Sequence, residues 1–242
     1  MNLEVRPLTG KLLPDLAALF EQGNDAKWCW CASFRVRGRD FRKSQPEQNR
    51  VVLERATKRA DAGSSEPPGL IAYRDGRVVG WVSLAPRQDF LRLAFSKVLA
   101  PVDDRPVWSI VCFVVAKAER GQGIARALLD AAIAFARERG ATTLEAYPLH
   151  ESQGRVGPAY AYSGTQAMFE RAGFQLVTTR RMNSVTAPRP IVRLDLTNRS
   201  RTGRGRHPRR GAMAGQRSRP RPRQLHRGQP SASADWPAQR PP

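Results

Sequence analysis

Arg120-Gly121-Gln122-Gly123-Ile124-Ala125 is the stretch of this 242-residue sequence whose residue types and spacing point most directly at chemistry. It follows a nearly unbroken apolar run, residues 107–115. It opens a segment in which Ile124, Leu128, Ala131 and Phe135 recur at helical spacing. A strand that ends in a Gly-rich turn and enters a helix makes an anion site. The first N–H groups of a helix have no partner within it, and they carry the positive end of the helix dipole. Phosphate oxygens accept from such groups. Gly121 and Gly123 let a ligand approach the backbone without a Cβ in the way. Arg120 and Arg126 add positive charge. The spacing is neither G-x-x-x-x-G-K-[ST] nor G-x-G-x-x-G, so neither the P-loop nor the dinucleotide fingerprint applies.

The turn needs a framework, and the rest of the chain predicts one. Residues 3–8 alternate like a first strand. Pro14 sits near the start of a helix with Leu13, Leu16, Leu19 and Phe20 on one side, ended by Gly23 and Asn24. Ser44-Gln45-Pro46-Glu47 has capping-box spacing ahead of a helix over 46–61. Residues 70–73 and 77–84 read as strands joined by the tight turn Asp75-Gly76. The run 107–115 has the composition of a strand buried on both faces. A helix follows to residue 139, stopped by Gly140. Strands are expected over 142–147, 174–179 and 191–196, and a helix over 163–172 closed by Gly173. Residues 91–98 form a short helix or an insertion. The order β-α-α-β-β-β-α-β-α-β-β describes a mixed α/β domain around one sheet.

Composition excludes several classes. Cys29, Cys31 and Cys112 are odd in number and two are one residue apart, which is no disulfide framework; reduced thiols are expected. Cys29 and Cys31 lack His or carboxylate neighbours at ligand spacing, so no metal site is expected. Cys112 reads as a small core hydrophobe. Trp28-Cys29-Trp30-Cys31 reads as core or as one wall of a pocket. No apolar run behind a basic stretch opens the chain and no segment approaches 18 apolar residues, so a cytoplasmic protein without membrane contact is expected. The net charge is +20, and residues 198–242, with twelve Arg and one acid, hold +11 of it. That Arg/Pro-rich stretch has too little apolar surface to offset the entropy of ordering. A domain over 1–197 and a disordered tail over 198–242 are therefore expected, the tail being able to attract nucleic acid.

The Arg120–Ala125 stretch resembles the R/Q-x-x-G-x-G/A signature of the GCN5-related N-acetyltransferase (GNAT) superfamily. Met168-Phe169-Glu170-Arg171-Ala172-Gly173-Phe174 is similar to the family's late helix-to-strand element, L-Y-E-K-x-G-F. The resemblance covers roughly residues 3–197. It implies a mostly antiparallel twisted sheet flanked by helices, with central strands that splay. It implies acetyl-CoA in the wedge, its pantetheine on the strand end at Phe113, Val114 and Val115. Its pyrophosphate would rest on the amides of Gly121, Gln122, Gly123, Ile124, Ala125 and Arg126, beside Arg120. A primary amine, on a small molecule or a peptide, would attack the thioester directly. The acceptor pocket would lie near Trp81, Ser83, Tyr147, Tyr160 and Tyr162.

Many relatives place a tyrosine acid where this chain has Phe169. Tyr162 and, after it, Tyr160 are the substitutes nearest in sequence. Glu145 and His150 are the candidate bases that would take the amine proton, His150 because imidazole titrates near neutrality. A thiolate is a good leaving group, so positioning alone could carry much of the rate. Two other readings stand beside this one: a non-catalytic CoA-binding module, favoured by Phe169, and a nucleic-acid-associated protein acting through 198–242. A homodimer is a further partner the sequence admits.

Overall fold

The computed structural model describes residues 2–22, 26–150, 161–183 and 185–197. The expectations for Tyr160, for Gly23 and Asn24, and for the tail from 198 lie outside those residues.

The first strand, β1 (Leu3–Pro7), leads through one 3-10 turn into α1 (Leu13–Glu21), with Pro14 in its first turn. After the short α2 (Ala26–Cys29) comes α3 (Pro46–Asp61). It has the expected bounds but not the expected cap. Gln45, not Ser44, is its N-cap and no side chain caps it. Pro46, whose fixed φ suits a first helical position and which has no N–H to satisfy, opens the helix instead.

Strands β2 (Gly69–Arg74) and β3 (Arg77–Pro86) form the hairpin. Asp75 and Gly76 both take positive φ, 48° and 79°, as its two-residue turn requires. Residues 91–95 are a helix, α4 (Leu91–Phe95). Next come β4 (Trp108–Val115), α5 (Ile124–Glu138) and β5 (Thr143–Ala146). The late helix, α6 (Gln166–Glu170), is shorter than expected because Thr165 caps it, accepting from Met168 N at 3.3 Å. The chain closes with β6 (Gln175–Arg180) and β7 (Arg189–Asp195).

The strands form one seven-stranded sheet, ordered β1-β2-β3-β4-β5-β7-β6. Every pairing is antiparallel except β4 with β5. One face carries α1, α3 and α4, through Leu16, Phe20, Leu53 and Leu93 packed on Ile71, Trp81 and Val114. The other carries α5 and α6, through Ile124, Leu128, Phe135 and Phe169 on Val82, Ile110 and Phe113. No described helix is long and apolar enough to cross a membrane.

The middle of the sheet opens. Only Trp108, Ser109 and Ile110 of β4 pair with β5, against Leu144, Glu145 and Ala146. Just past that point β4 carries a bulge. Ser83 faces Cys112 and Leu84 faces Ile110, so Val111 is an extra residue. Val111 and Cys112 therefore turn to the same face. A 3-10 turn, Ala161–Ser163, packs on β4 beyond the split. It is tied to the continuation of β5 by Leu149 N donating to Gly164 O at 3.0 Å and by a parallel bridge of Leu149 to Thr165.

Candidate functional site

A cleft of about 480 Å³ lies where β4 ends and α5 begins. Phe113 and Val115 form one wall. The turn Glu119-Arg120-Gly121, Gly123 and the first residues of α5, Ile124 to Arg126, form the other, and Tyr162 also lines the cleft. The first bond of the helix here runs from Ala127 N to Gly123 O, at 3.0 Å. The N–H groups of Ile124, Ala125 and Arg126 precede it, and no side chain caps the helix. Three donors at the positive end of a four-turn helix thus open on a cleft, which suits an anion.

Gly121 and Gly123 take φ of 76° and 82°, and a Cβ at either would meet nothing within 4 Å. Their role is left-handed backbone that turns the amides outward, rather than relief of crowding within the protein. Crowding is met at Gly80 on β3. A Cβ there would stand 2.8 Å from Ile124 Cγ2 and 2.9 Å from Leu128 Cδ1. Glycine lets α5 seat its first turns directly on the sheet.

Arg120 Nε donates to Val115 O at 3.4 Å, tying the turn to the strand end. Arg126 bonds Asp130 at 2.9 Å and Arg171 O at 3.2 Å, so part of its charge is already matched. Val114 and Gln122 face elsewhere. Val114 is in the opposite core, and the Gln122 side chain donates to Ala118 O at 2.9 Å and accepts from Arg74. Arg74 was not legible as a site residue. From β2 it reaches Glu119 Oε2 at 2.5 Å and Gln122 O at 3.3 Å. It both braces the turn and neutralises a carboxylate that would oppose phosphate. Arg74→Ala is expected to raise the acetyl-CoA dissociation constant roughly ten-fold by calorimetry. That is the lower end of what a hydrogen bond to a charged group contributes, ~1.5–3 kcal/mol. An unchanged constant would mean the turn holds itself.

Tyr162 also lines a second cavity, of about 250 Å³, with Cys29, Cys31, Phe34, Phe41 and Cys112 among its walls. The Trp28–Cys31 stretch is thus both core and wall. Trp30 and Cys31 are buried, Cys29 is partly so, and Trp28 is exposed. Trp30 and Cys31 hold left-handed backbone, φ 46° and 50°, a conformation that costs non-glycine residues energy and collects at functional sites. Trp81 Nε1 donates to Cys31 Sγ at 3.3 Å. Trp81 and Ser83 are fully buried, so they stand behind the pocket wall rather than in it. Contact with the Cys112 thiol, then burial, pushes the Cys31 thiol well above its ordinary value despite lowering contacts from Cys29 and Trp81. It stays protonated, and only a thiolate would be an effective nucleophile. Among the described residues no group of three His, Cys, Asp or Glu could hold a metal ion.

Glu145 is 1% exposed. It accepts from Arg87 Nη1 at 2.7 Å, Tyr147 OH at 2.6 Å and Arg193 Nε at 2.8 Å. Arg193 in turn bonds Asp103 at 2.8 Å, and bonds from Arg193 first and Arg105 second hold the Asp103 carboxyl well below the usual range. Burial, then the charge of Glu145, pushes the Tyr147 phenol far up, so it remains a donor. This setting fits a buried counter-ion better than a base open to an amine. His150 follows Leu149 on the segment beside Gly164 and is partly buried. Phe169 is fully buried, edge-on to Phe113 at 6.1 Å and Phe174 at 5.0 Å. It is a core residue where an acid would have stood.

Residues 32–174, more than half of the chain, match the Acetyltransferase (GNAT) family. Mycothiol acetyltransferase of Propionibacterium freudenreichii subsp. shermanii is 30% identical over 138 residues, 55% of this chain and 36% of that protein. The chain therefore spans about a third of that relative's length. Among solved structures, a GNAT-family protein from Desulfovibrio desulfuricans has a TM-score of 0.51 at 17% identity, over 81% of this chain and 99% of its own. YncA of Salmonella typhimurium, solved with its cofactor acetyl-CoA, has a TM-score of 0.50 at 20% identity, over 80% and 94%. These share the fold, and the matched residues include the splayed strand, the turn and the start of α5: the chain belongs to the acetyltransferase (GNAT) family.

Proposed function

We propose that this chain transfers an acetyl group from acetyl-CoA to a primary amine by direct attack. The observation that carries the reading is the uncapped N-terminus of α5, opening on a cleft that Tyr162 also lines. The cleft suits the cosubstrate. The free amides of 124–126 would take its pyrophosphate, and the apolar wall of Phe113 and Val115 its pantetheine arm. The acetyltransferase family and the acetyl-CoA held by YncA support the same choice.

Acetyl-CoA supplies an electrophilic carbonyl and a thiolate leaving group. The residues of this chain do the rest. The amine must lose a proton as its nitrogen forms the new C–N bond, and the departing sulfur gains one. Tyr162 lies between the cleft and the second cavity, so its hydroxyl is suited to give a proton to sulfur as the C–S bond breaks. His150, on the neighbouring segment, is the remaining described candidate for taking the amine proton. With Cys31 protonated and Glu145 enclosed, a covalent acyl-enzyme on either has no support.

The reading is tested by thiol release from acetyl-CoA across a panel of primary amines. Amine-dependent release is expected, with the N-acetyl product seen by mass. Tyr162→Phe should lower kcat about 100-fold, the lower range for one acid–base group, with acetyl-CoA affinity unchanged. Equal kcat would remove Tyr162 from the chemistry. Acetyl-CoA binding without thiol release for any amine would favour the second reading, a non-catalytic CoA-binding module, which the buried Phe169 also suits.

A further inference from the structure

A third cavity, of about 350 Å³, shares Phe34 and Ser163 with the second and is lined by Tyr147 from the splay. Two arginines face it: Arg92 from α4 and Arg189 at the start of β7. Arg92 lies over the Phe34 ring, 5.7 Å from its centroid, and Arg189 Nη1 reaches Tyr147 O at 3.5 Å. Both are partly buried. Among the described residues neither pairs with a carboxylate.

The contrast with the neighbouring arginines is informative. Arg87 and Arg193 lie in the same part of the sheet, and each has an acid, Glu145 or Asp103, at 2.7–2.8 Å. Arg92 and Arg189 have each other instead. Burial first, and the Arg92 charge second, pull the Arg189 guanidinium below its ordinary value. Partly buried like charges with no counter-ion among the described residues are costly for the protein alone, and the cost falls when an anion enters. The rest of the wall mixes apolar Val98, Leu99 and Met182 with the hydroxyl residues Ser96, Ser163 and Thr186. A pair of planar donor forks in the wall of a small, partly apolar cavity matches a carboxylate, which accepts two parallel N–H bonds from one guanidinium.

We propose that the acceptor is an amine that also carries a carboxylate, held by Arg189 and Arg92, with its apolar body against Phe34 and Leu99. This rests on the acetyltransfer reading of the cleft, since it gives the third cavity to the same substrate. The cavity's size suits a single amino acid or a comparably small amino-carboxylic acid.

The test measures binding, independent of turnover. CoA-saturated protein is titrated in a calorimeter with N-acetylglycine, N-acetyl-leucine and N-acetyl-phenylalanine, each against its own carboxamide. At least one acid should bind ten-fold or more tightly than its amide. Arg189→Gln and Arg92→Gln should each erase that preference without changing the CoA dissociation constant, and Arg189→Lys should keep part of it. Melting curves of all variants check that they fold; Arg92→Gln, on a short surface helix, decides if Arg189→Gln does not. Equal binding of acid and amide overturns the proposal, as does no binding of any acid or a preference that survives both substitutions. If that happens while amine-dependent thiol release persists, the inference alone fails. If acetyl-CoA itself does not bind, the acetyltransfer reading fails with it.

Discussion

Replacing Gly123 with glutamate is expected to weaken acetyl-CoA binding on the order of 100-fold, with the melting temperature lowered only slightly. Two effects add. Residue 123 holds φ 82°, and a side chain there costs about 1–3 kcal/mol unless the turn relaxes. Relaxation would turn away the amides of 124–126 that form the cradle. The new carboxylate would also stand in the open space before those amides, where it competes for them and repels phosphate. Each 1.4 kcal/mol is a factor of ten in binding, so strain and charge together reach the stated size. Gly123→Ala carries the strain alone and is expected to lose about ten-fold. Calorimetry separates the two. An unchanged affinity in the glutamate variant would remove the cofactor from this turn.

Glu145→Ala is expected to destabilise the domain by ~3–5 kcal/mol, the usual consequence of taking one partner from a buried ion pair. The variant leaves Arg87 and Arg193 enclosed with one counter-ion fewer, and frees the Tyr147 hydroxyl and its bond to Ser109 Oγ at 3.0 Å. Denaturant unfolding measures the loss. Glu145→Gln should lose less, because the amide oxygen still accepts. Had Glu145 been a base open to the amine, the opposite pattern would appear: near-normal stability with turnover abolished. The experiment therefore decides between a counter-ion that fixes the base of the wedge and a proton acceptor within it.

What the sequence disclosed, and what it hid, follows from how far apart the interacting residues lie. The proposed phosphate cradle is a local object. Residues 107–126 carry strand, turn and helix in one continuous run, so apolar periodicity and two glycines suffice to find those elements. The hairpin at Asp75-Gly76 and the extent of α3 were legible for the same reason. Only the cap of α3 differs from the sequence reading: Ser44 has the capping-box spacing, yet Pro46 is itself a good first helical residue and sets the boundary without a side-chain cap.

The features that were missed are products of tertiary contact. Arg74 braces a turn that lies 45 residues further along, and no motif links Arg74 to Glu119. Glu145 showed as a lone acid in an apolar strand, a pattern equally compatible with catalysis, solvent or a buried pair. Its partners Arg87 and Arg193 are 58 and 48 residues away. The second and third cavities draw on residues 29–43, 92–99 and 182–189 at once, and loops contribute no periodicity from which to infer their meeting. Phe169 was read correctly as unable to act as an acid. Its actual work, filling the core between Phe113 and Phe174, needed the fold.

The central claim is that the cosubstrate lies between the splayed ends of β4 and β5 with its pyrophosphate on the first turn of α5. A crystal structure of the protein with acetyl-CoA tests it most directly. Pyrophosphate oxygens are expected within hydrogen-bond distance of the amides of Ile124, Ala125 and Arg126, with the thioester beside Tyr162. Pyrophosphate bound away from that turn, or a thioester remote from Tyr162, would contradict it.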